Sequence, residues 1–308
     1  MLYARRRFLR IWPAYAVIVL FSAAIENVHH GRHSASVADV VAHLTMLHGF
    51  SSTYILGVGN GPLWTMAVDS QFSVALPIAA WLLLRLNPSC TASRVRAILA
   101  SIVGAITLSV AWRVYAVGAI PVQAWPPSPT LFATQRGIVG MGMCFALGGL
   151  VALAQALSLR ISIACAAAFC AAGAVLAAVG FTVLFWCPPA WLPFAPTLID
   201  FLGALSVACL VFGGIHLHST WVGRLYDSRF IAAGAVYAYS LYLVHEPLKL
   251  AVWSMLEHYH LHFGTSVFSV SLIVLFALTS VIAAGLLHHL VEQPFLTMKE
   301  RARETAVS

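Results

Sequence analysis

Charge is what this chain has least of: Asp, Glu, Lys and Arg make up only 9% of its 308 residues, against 61% hydrophobic residues. An ordinary soluble domain carries about 25% charged residues, so a water-facing globular fold is excluded. Cysteine is scarce as well. The six (Cys90, Cys144, Cys165, Cys170, Cys187 and Cys209) are scattered without the paired spacing of a metal site or a redox motif, and read as small packing residues. Internal repeats and low-complexity tracts are absent. Met1-Leu-Tyr-Ala-Arg-Arg-Arg leads into an apolar run like a signal peptide, but no small-residue cleavage site follows and Trp12-Pro13 interrupts it, so a cytoplasmic loop entering a span is expected.

Long apolar runs fill the space those absences leave. Mean hydropathy is +0.89, and stretches of about 20 apolar residues, enough to cross a bilayer, occur at 11–28, 62–85, 95–117, 132–155, 161–185, 196–215, 230–252 and 266–290. The predicted fold is all-α: a polytopic membrane helix bundle of about eight transmembrane helices, with residues 1–308 as a single integral domain.

Cations cluster on alternate loops, which predicts an orientation. With a cytoplasmic N-terminus, Arg5, Arg6, Arg7, Arg10, Arg85, Arg94, Arg96, Arg160, Arg224, Arg229, Lys299, Arg301 and Arg303 fall inside, and only Arg32 falls in an outside loop. Both termini are then cytoplasmic. The net charge of +7 reflects this topology and contact with an anionic inner leaflet. Nucleic acid is not an expected partner, since no aromatic-and-basic recognition module is present.

Polar groups inside the spans are costly and therefore informative. At 1.5 Å per residue, Asp69 lies about 10 Å below the outer end of the second span. Arg113, Arg136 and Asp200 lie four or five residues below the outer ends of theirs, and His245, Glu246 and Lys249 occupy the last two turns of the seventh. Glu26 ends the first. The functional expectation is one hydrated cavity in the outer third of the bilayer lined by these groups. The plainer reading, that long side chains at helix ends snorkel to the interface, suits Glu26, Lys249 and Arg113 better than Asp69, Arg136 and His245.

On the cytoplasmic side, Arg7 and Arg10 share a helical face and present two planar forks suited to phosphate. The histidine groups His29-His30-Gly-Arg-His33 and His258-Tyr-His260-Leu-His262 lack a completing carboxylate or cysteine, so no metal site is assigned. His288-His289 reads as an interfacial pair.

Four segments, in order, carry a resemblance. Trp64-Thr-Met-Ala-Val-Asp69-Ser-Gln-Phe72 resembles the W-S-L-x-x-E-x-x-F-Y signature of the acyltransferase family 3 membrane proteins, which include O-antigen and other polysaccharide O-acetylases. Arg7-Phe-Leu-Arg10-Ile-Trp-Pro13-Ala-Tyr15 is similar to that family's R-x-x-R loop and the I-x-P-x-Y after it. Tyr239-Ser-Leu-Tyr242-Leu-Val-His245-Glu-Pro247 resembles S-Y-S-L-Y-L-x-H-x-P, and Val291-Glu292-Gln-Pro294-Phe295 the closing E-x-P-F. Arg136 and the Gly-rich run after it fit the family's arginine-bearing helix less specifically.

Two departures accompany the resemblance. Asp69 stands where the family usually has glutamate. The usual opening, an R-x10-H helix and a second span, would precede Met1. Eight spans plus two make the family's usual ten, so an N-terminal truncation is expected, natural or from a misplaced gene start.

The resemblance implies transfer of an acyl group, most often acetyl from acetyl-CoA, to a hydroxyl of a cell-envelope glycan or lipid-linked sugar, in the inner membrane. Asp69, His245 and Arg136 are the implied catalytic residues, and Arg7, Arg10, Trp64 and Tyr242 the implied substrate-binding ones. Acyl-CoA is expected as donor substrate, with no permanently bound cofactor; the acceptor sugar and the bilayer are the other partners. Glu292 is expected to anchor the last helix at the cytoplasmic interface. The competing readings are a lipid-linked sugar transporter, opposed by the lack of repeats and of paired broken helices, and a truncated non-catalytic relative.

Overall fold

The computed structural model describes residues 2–30, 35–86, 91–120, 128–188, 191–258 and 266–304. Among the described residues there is no strand. In chain order the helices are α1 Leu2–His30, α2 Val37–Leu44, α3 Trp64–Leu86, α4 Thr91–Ala119, α5 Pro129–Arg136, α6 Gly142–Ala156, α7 Ile163–Trp186, α8 Ala195–His216, α9 Trp221–Tyr226, α10 Arg229–His258, α11 Ser266–Leu287 and α12 Gln293–Glu304. A π-helical segment, His288–Glu292, joins the last two.

Six stretches among the described residues are long and apolar enough to cross a membrane: Tyr3–Asn27, Gly61–Leu86, Thr91–Ala119, Ile163–Trp186, Ala195–His216 and Leu272–Met298. Their large apolar side chains point outward, as with Phe181 at 61% exposure and Trp186 at 73%. In water such faces would aggregate; in a bilayer they meet hydrocarbon. The protein is an all-α, multi-pass membrane bundle.

The remaining two expected spans differ in character. Residues 230–252 lie within α10, a 30-residue helix made more polar by Glu246 and Lys249 and carrying Pro247. The continuous span expected at 132–155 is corrected: it breaks at Gly137–Met141 into the eight-residue α5 and the 15-residue α6. Gly137 caps α5 with an extended ψ of 177°. At Gly140 any Cβ would overlap the Gln135 carbonyl, so glycine is required for the chain to turn there.

Contacts divide the chain into two compact units, Met1–Ala67 with Ala233–Ser308, and Val68–Ala232. The first is built on a core of Ala14, Tyr15, Ile18 and Val19 from α1, Leu243 and Val244 from α10, and Ala284 and Leu287 from α11, closed by Val58 and Leu63 of the α2–α3 connection. In the second, α7 packs closely on α8 because small residues face one another. A Cβ on Gly213 would sit 2.6 Å from the Ala166 carbonyl oxygen, and Ser206 donates to the Gly173 carbonyl at 2.7 Å. Close backbone approach of this kind is the main source of helix association where lipid removes the hydrophobic drive.

Candidate functional site

In the second unit the polar site grows from the helix break. A broken helix at membrane depth leaves carbonyls that need donors. Gly140 O receives two from α4, Ser109 Oγ at 2.7 Å and Arg113 Nε at 2.7 Å. The same guanidinium reaches α8, with NH1 2.7 Å from Asp200 Oδ2 and 3.5 Å from Pro196 O. Its NH2 donates to Met141 Sδ at 2.9 Å. Arg136, at the end of α5, places NH1 3.0 Å from the other Asp200 oxygen and its guanidinium carbon 5.6 Å from the Phe132 ring centre.

One carboxylate thus joins two arginines. Arg113 is fully buried. This corrects the expectation that Arg113 snorkels: its fork is consumed by the helix break and by Asp200. Arg136 keeps 21% of its side chain exposed.

Asp69 lies in the second turn of α3, where its backbone carbonyl accepts from Ser73 Oγ at 2.6 Å. Two residues on, Gln71 has both amide atoms buried without a hydrogen-bond partner among the described residues. Burying an unpaired amide is costly, and that cost is the signal that makes Gln71 a candidate for contact with a ligand. The sequence pattern gave it no weight beyond its place in the signature.

In the first unit, α10 and the α2–α3 connection interlock through a proline. Pro247 has no N–H to offer the Leu243 carbonyl one turn back. Asn60 supplies the missing donor: its Nδ2 lies 3.3 Å from Leu243 O and 3.2 Å from Ser22 Oγ of α1. Tyr242 OH donates to Pro62 O at 2.6 Å and meets Thr65 Oγ1 at 2.5 Å. The Tyr242 hydroxyl is therefore committed to holding the start of α3, beside Trp64. His245 Nδ1 lies 2.6 Å from Tyr242 O. A carbonyl only accepts, so Nδ1 carries a proton, and in the neutral ring Nε2 then presents a lone pair.

The α2–α3 connection holds a cluster that sequence reasoning missed. His43 and His48 stack with ring centres 3.9 Å apart and planes 11° off parallel, both fully buried. His43 Nδ1 lies 3.0 Å from Asp39 O and 3.1 Å from Asp39 Oδ1, and His48 Nε2 lies 3.1 Å from Leu63 O. Burial pushes both imidazoles down to about 4 and raises Asp39 above the usual carboxylate range. The loop is strained where it is pinned: Met46 and Val58 adopt φ of 57° and 51°, and Val58 N donates to Asp39 Oδ2 at 2.9 Å. Tyr15 OH and Trp12 Nε1 of α1 donate to His43 O and Leu44 O, each at 3.0 Å. The i, i+4 spacing of Asp39 and His43 was the only signal in the sequence.

At the other end of α10, the π segment turns His288 and Glu292 inward. Glu292 accepts from Ser240 Oγ at 2.7 Å and from His288 Nδ1 at 2.7 Å, and all three are buried. Glu292 and His288, expected at the cytoplasmic interface, are both turned into the protein; His289 is the exposed member, bonded to Gln293 and Tyr237. Tyr239 OH donates to Ile11 O at 2.7 Å, tying α10 to the helix that carries Arg7 and Arg10. Lys249 is exposed and paired with Glu246 at 2.6 Å, as a helix-end lysine should be.

Of the sequence-derived site residues, Arg7, Arg10, Trp64, Tyr242 and His245 belong to the first unit, and Asp69 and Arg136 to the second. Of the groups expected around one cavity, ion pairs tie Arg113, Arg136 and Asp200 together. Both loop histidine groups have side chains outside the described residues, as does Cys90; the five described cysteines are free thiols.

The chain is thus an all-helical membrane bundle with buried charge and inward-facing histidines. The sequence profile of the acyltransferase domain of acyltransferase family 3 matches residues 1–288, and the chain belongs to that family. It is a multi-pass membrane acyltransferase. Neither a curated protein nor a solved structure matches it. The helix break is the kind of feature a transporter uses, but its exposed carbonyl is already satisfied by Ser109 and Arg113.

Proposed function

We propose that this protein transfers an acyl group, acetyl in the first instance, from acyl-CoA to a hydroxyl of a cell-envelope glycan or lipid-linked sugar, in the cytoplasmic membrane. The observation that carries the reading is the 2.6 Å contact of His245 Nδ1 with Tyr242 O. With Nδ1–H given to Tyr242 O, Nε2 is placed to accept a proton.

The reaction needs four things, and the chain has a residue suited to each. The sugar hydroxyl loses its proton to His245 Nε2 as its oxygen attacks the thioester carbonyl. The carbonyl oxygen gathers negative charge, which a guanidinium such as that of Arg136 stabilises. The carbon–sulfur bond breaks, the thiolate takes the proton, and an ester and free CoA result. Arg7 and Arg10, three residues apart on α1, grip the donor's phosphates bidentately. Asp69 orients the acceptor hydroxyl, and Trp64 offers the apolar face on which sugars stack.

Membranes containing the chain, supplied with acetyl-CoA labelled in the acetyl group, are expected to transfer label to a glycan or lipid-linked sugar. No transfer by correctly folded protein overturns the reading. His245→Asn should lower kcat by about 10²–10⁴-fold, the usual contribution of a general base, with thermal stability unchanged. Asp69→Asn should abolish transfer while leaving expression intact; retained activity reduces Asp69 to a capping role.

A further inference from the structure

The second unit contains an apolar cavity of about 490 Å³ between α3, α4 and α6. Small residues make the space: Ala79, Ala105, Gly142, Ala146 and Gly149 line it where larger side chains would close it. Phe72 stacked on Phe145, ring centres 3.6 Å apart, closes its deep end beside the helix break. Arg94 lines the opposite end, on the side the arginine count assigns to the cytoplasm.

Its wall makes almost no polar demand. Ser101 is the one hydroxyl in the lining, and it donates back to Ala97 O at 2.8 Å. From Phe72 to Leu84 along α3 the cavity runs about 18 Å, slightly more than half the ~30 Å hydrocarbon core of a bilayer. Leu76 and Leu84 line it while remaining about half exposed, so it opens sideways. The volume is that of a ligand pocket. Leaflet length, an apolar wall, a lateral opening and a cation at the surface end match one molecule already present in the bilayer.

We propose that the cavity holds one acyl chain of an anionic phospholipid from the cytoplasmic leaflet, with the chain between α3, α4 and α6 and the phosphate at Arg94. The chain end abuts Phe145 of α6, three residues past Gly142, so the bound lipid props the half-helix whose preceding turn presents Gly140 O to Arg113. This site is independent of the donor and acceptor assignments above.

The test uses the full chain reconstituted in vesicles with either phosphatidylglycerol or phosphatidylcholine bearing a photoreactive group midway along one acyl chain. After irradiation, the labelled peptides are mapped. Label on α3, α4 and α6 is expected, favouring phosphatidylglycerol by about fivefold, the preference that one arginine gives an anionic headgroup. Arg94→Gln should remove that preference without removing the label, and Ala105→Leu with Gly149→Leu should remove the label itself. Equal labelling by the two lipids in the unaltered protein overturns the proposal, as does label spread equally over the outward faces of α7. Displacement of the label by an equimolar long-chain acyl-CoA assigns the cavity to the donor's chain and overturns the phospholipid. If the filled variant does not fold, the Arg94→Gln comparison still decides.

Discussion

The two units solve the same problem, polar groups in a place that excludes water, by different chemistry. In the second unit the answer is charge: Asp200 spans Arg113 and Arg136, and Arg113 also satisfies the broken helix. In the first it is mostly neutral hydrogen bonds to backbone carbonyls, from Asn60 to Leu243, Tyr242 to Pro62, His245 to Tyr242 and His48 to Leu63. A neutral donor that loses its acceptor leaves one unsatisfied group. A buried guanidinium that loses its carboxylate leaves an uncompensated charge, which is far worse. The contrast makes the second unit the more brittle and the first the more tunable by pH.

Removing the shared carboxylate is the hardest blow to this contrast. Asp200→Asn removes the carboxylate that both arginines share, one of them fully buried. A loss of about 3–5 kcal/mol is expected, the cost of stripping one partner from a buried pair. Thermal unfolding in detergent should show it as a lower Tm, with Arg113→Met alone costing a similar amount through Asp200 and Gly140 O. A shift of less than about 0.5 kcal/mol in both variants would place the cluster among solvated surface pairs.

Acid should act on the first unit instead. His43 and His48 sit at about 4 when folded, against 6.5 for an unburied imidazole. The unfolded chain therefore binds more protons between these values, and stability is fully present above pH 6.5 and falls as pH drops toward 4. The difference is on the order of 3 kcal/mol for either ring. Asp39, raised by burial, gains protons on folding and opposes part of that loss. Hydrogen exchange at residues 37–50 should rise as pH is lowered from 7 to 5, after correction for intrinsic rates, while exchange at Ser109–Arg113 stays constant. His43→Phe should flatten the profile.

A smaller effect is expected at the proline-freed carbonyl. Asn60→Ala removes the donor that covers Leu243 O and the bond to Ser22, and should cost about 1–3 kcal/mol. Adding Pro247→Ala restores a helical N–H to Leu243 O, so the double variant should recover part of the loss. Additive losses would show that Asn60 acts only through Ser22.

The spans were legible because an apolar run of membrane length needs no partner to be recognised. The break at Gly137–Met141 was not, since Ile138, Val139 and Met141 keep the run apolar and only the donors on α4 show why the turn is tolerated. The pairing of Arg113 with Asp200 joins residues 87 apart. Depth suggested that they lie at one level; nothing in the pattern set which carboxylate met which arginine. His43 and His48, five apart, would not share a helical face. They stack because α2 ends at Leu44 and the chain reverses through Met46 at positive φ. Asn60, 183 residues from Leu243, was visible as the partner of its carbonyl only once folded.

Gln71 separates stability from function most cleanly, and with the least expected change in the fold. Its amide is buried on α3 without a partner among the described residues, two positions from Asp69. If it serves only as filler, Gln71→Leu removes the desolvation penalty and stabilises the second unit by about 1 kcal/mol. If it also receives the acyl acceptor, the same substitution should raise KM for the acceptor several-fold while leaving KM for the acyl donor unchanged. Both outcomes together are the expected result, because an unpaired amide is kept where a ligand hydroxyl completes it. A more stable protein with an unaltered acceptor KM would make Gln71 a packing residue and confine the polar chemistry of the second unit to Arg113, Arg136, Asp200 and Asp69.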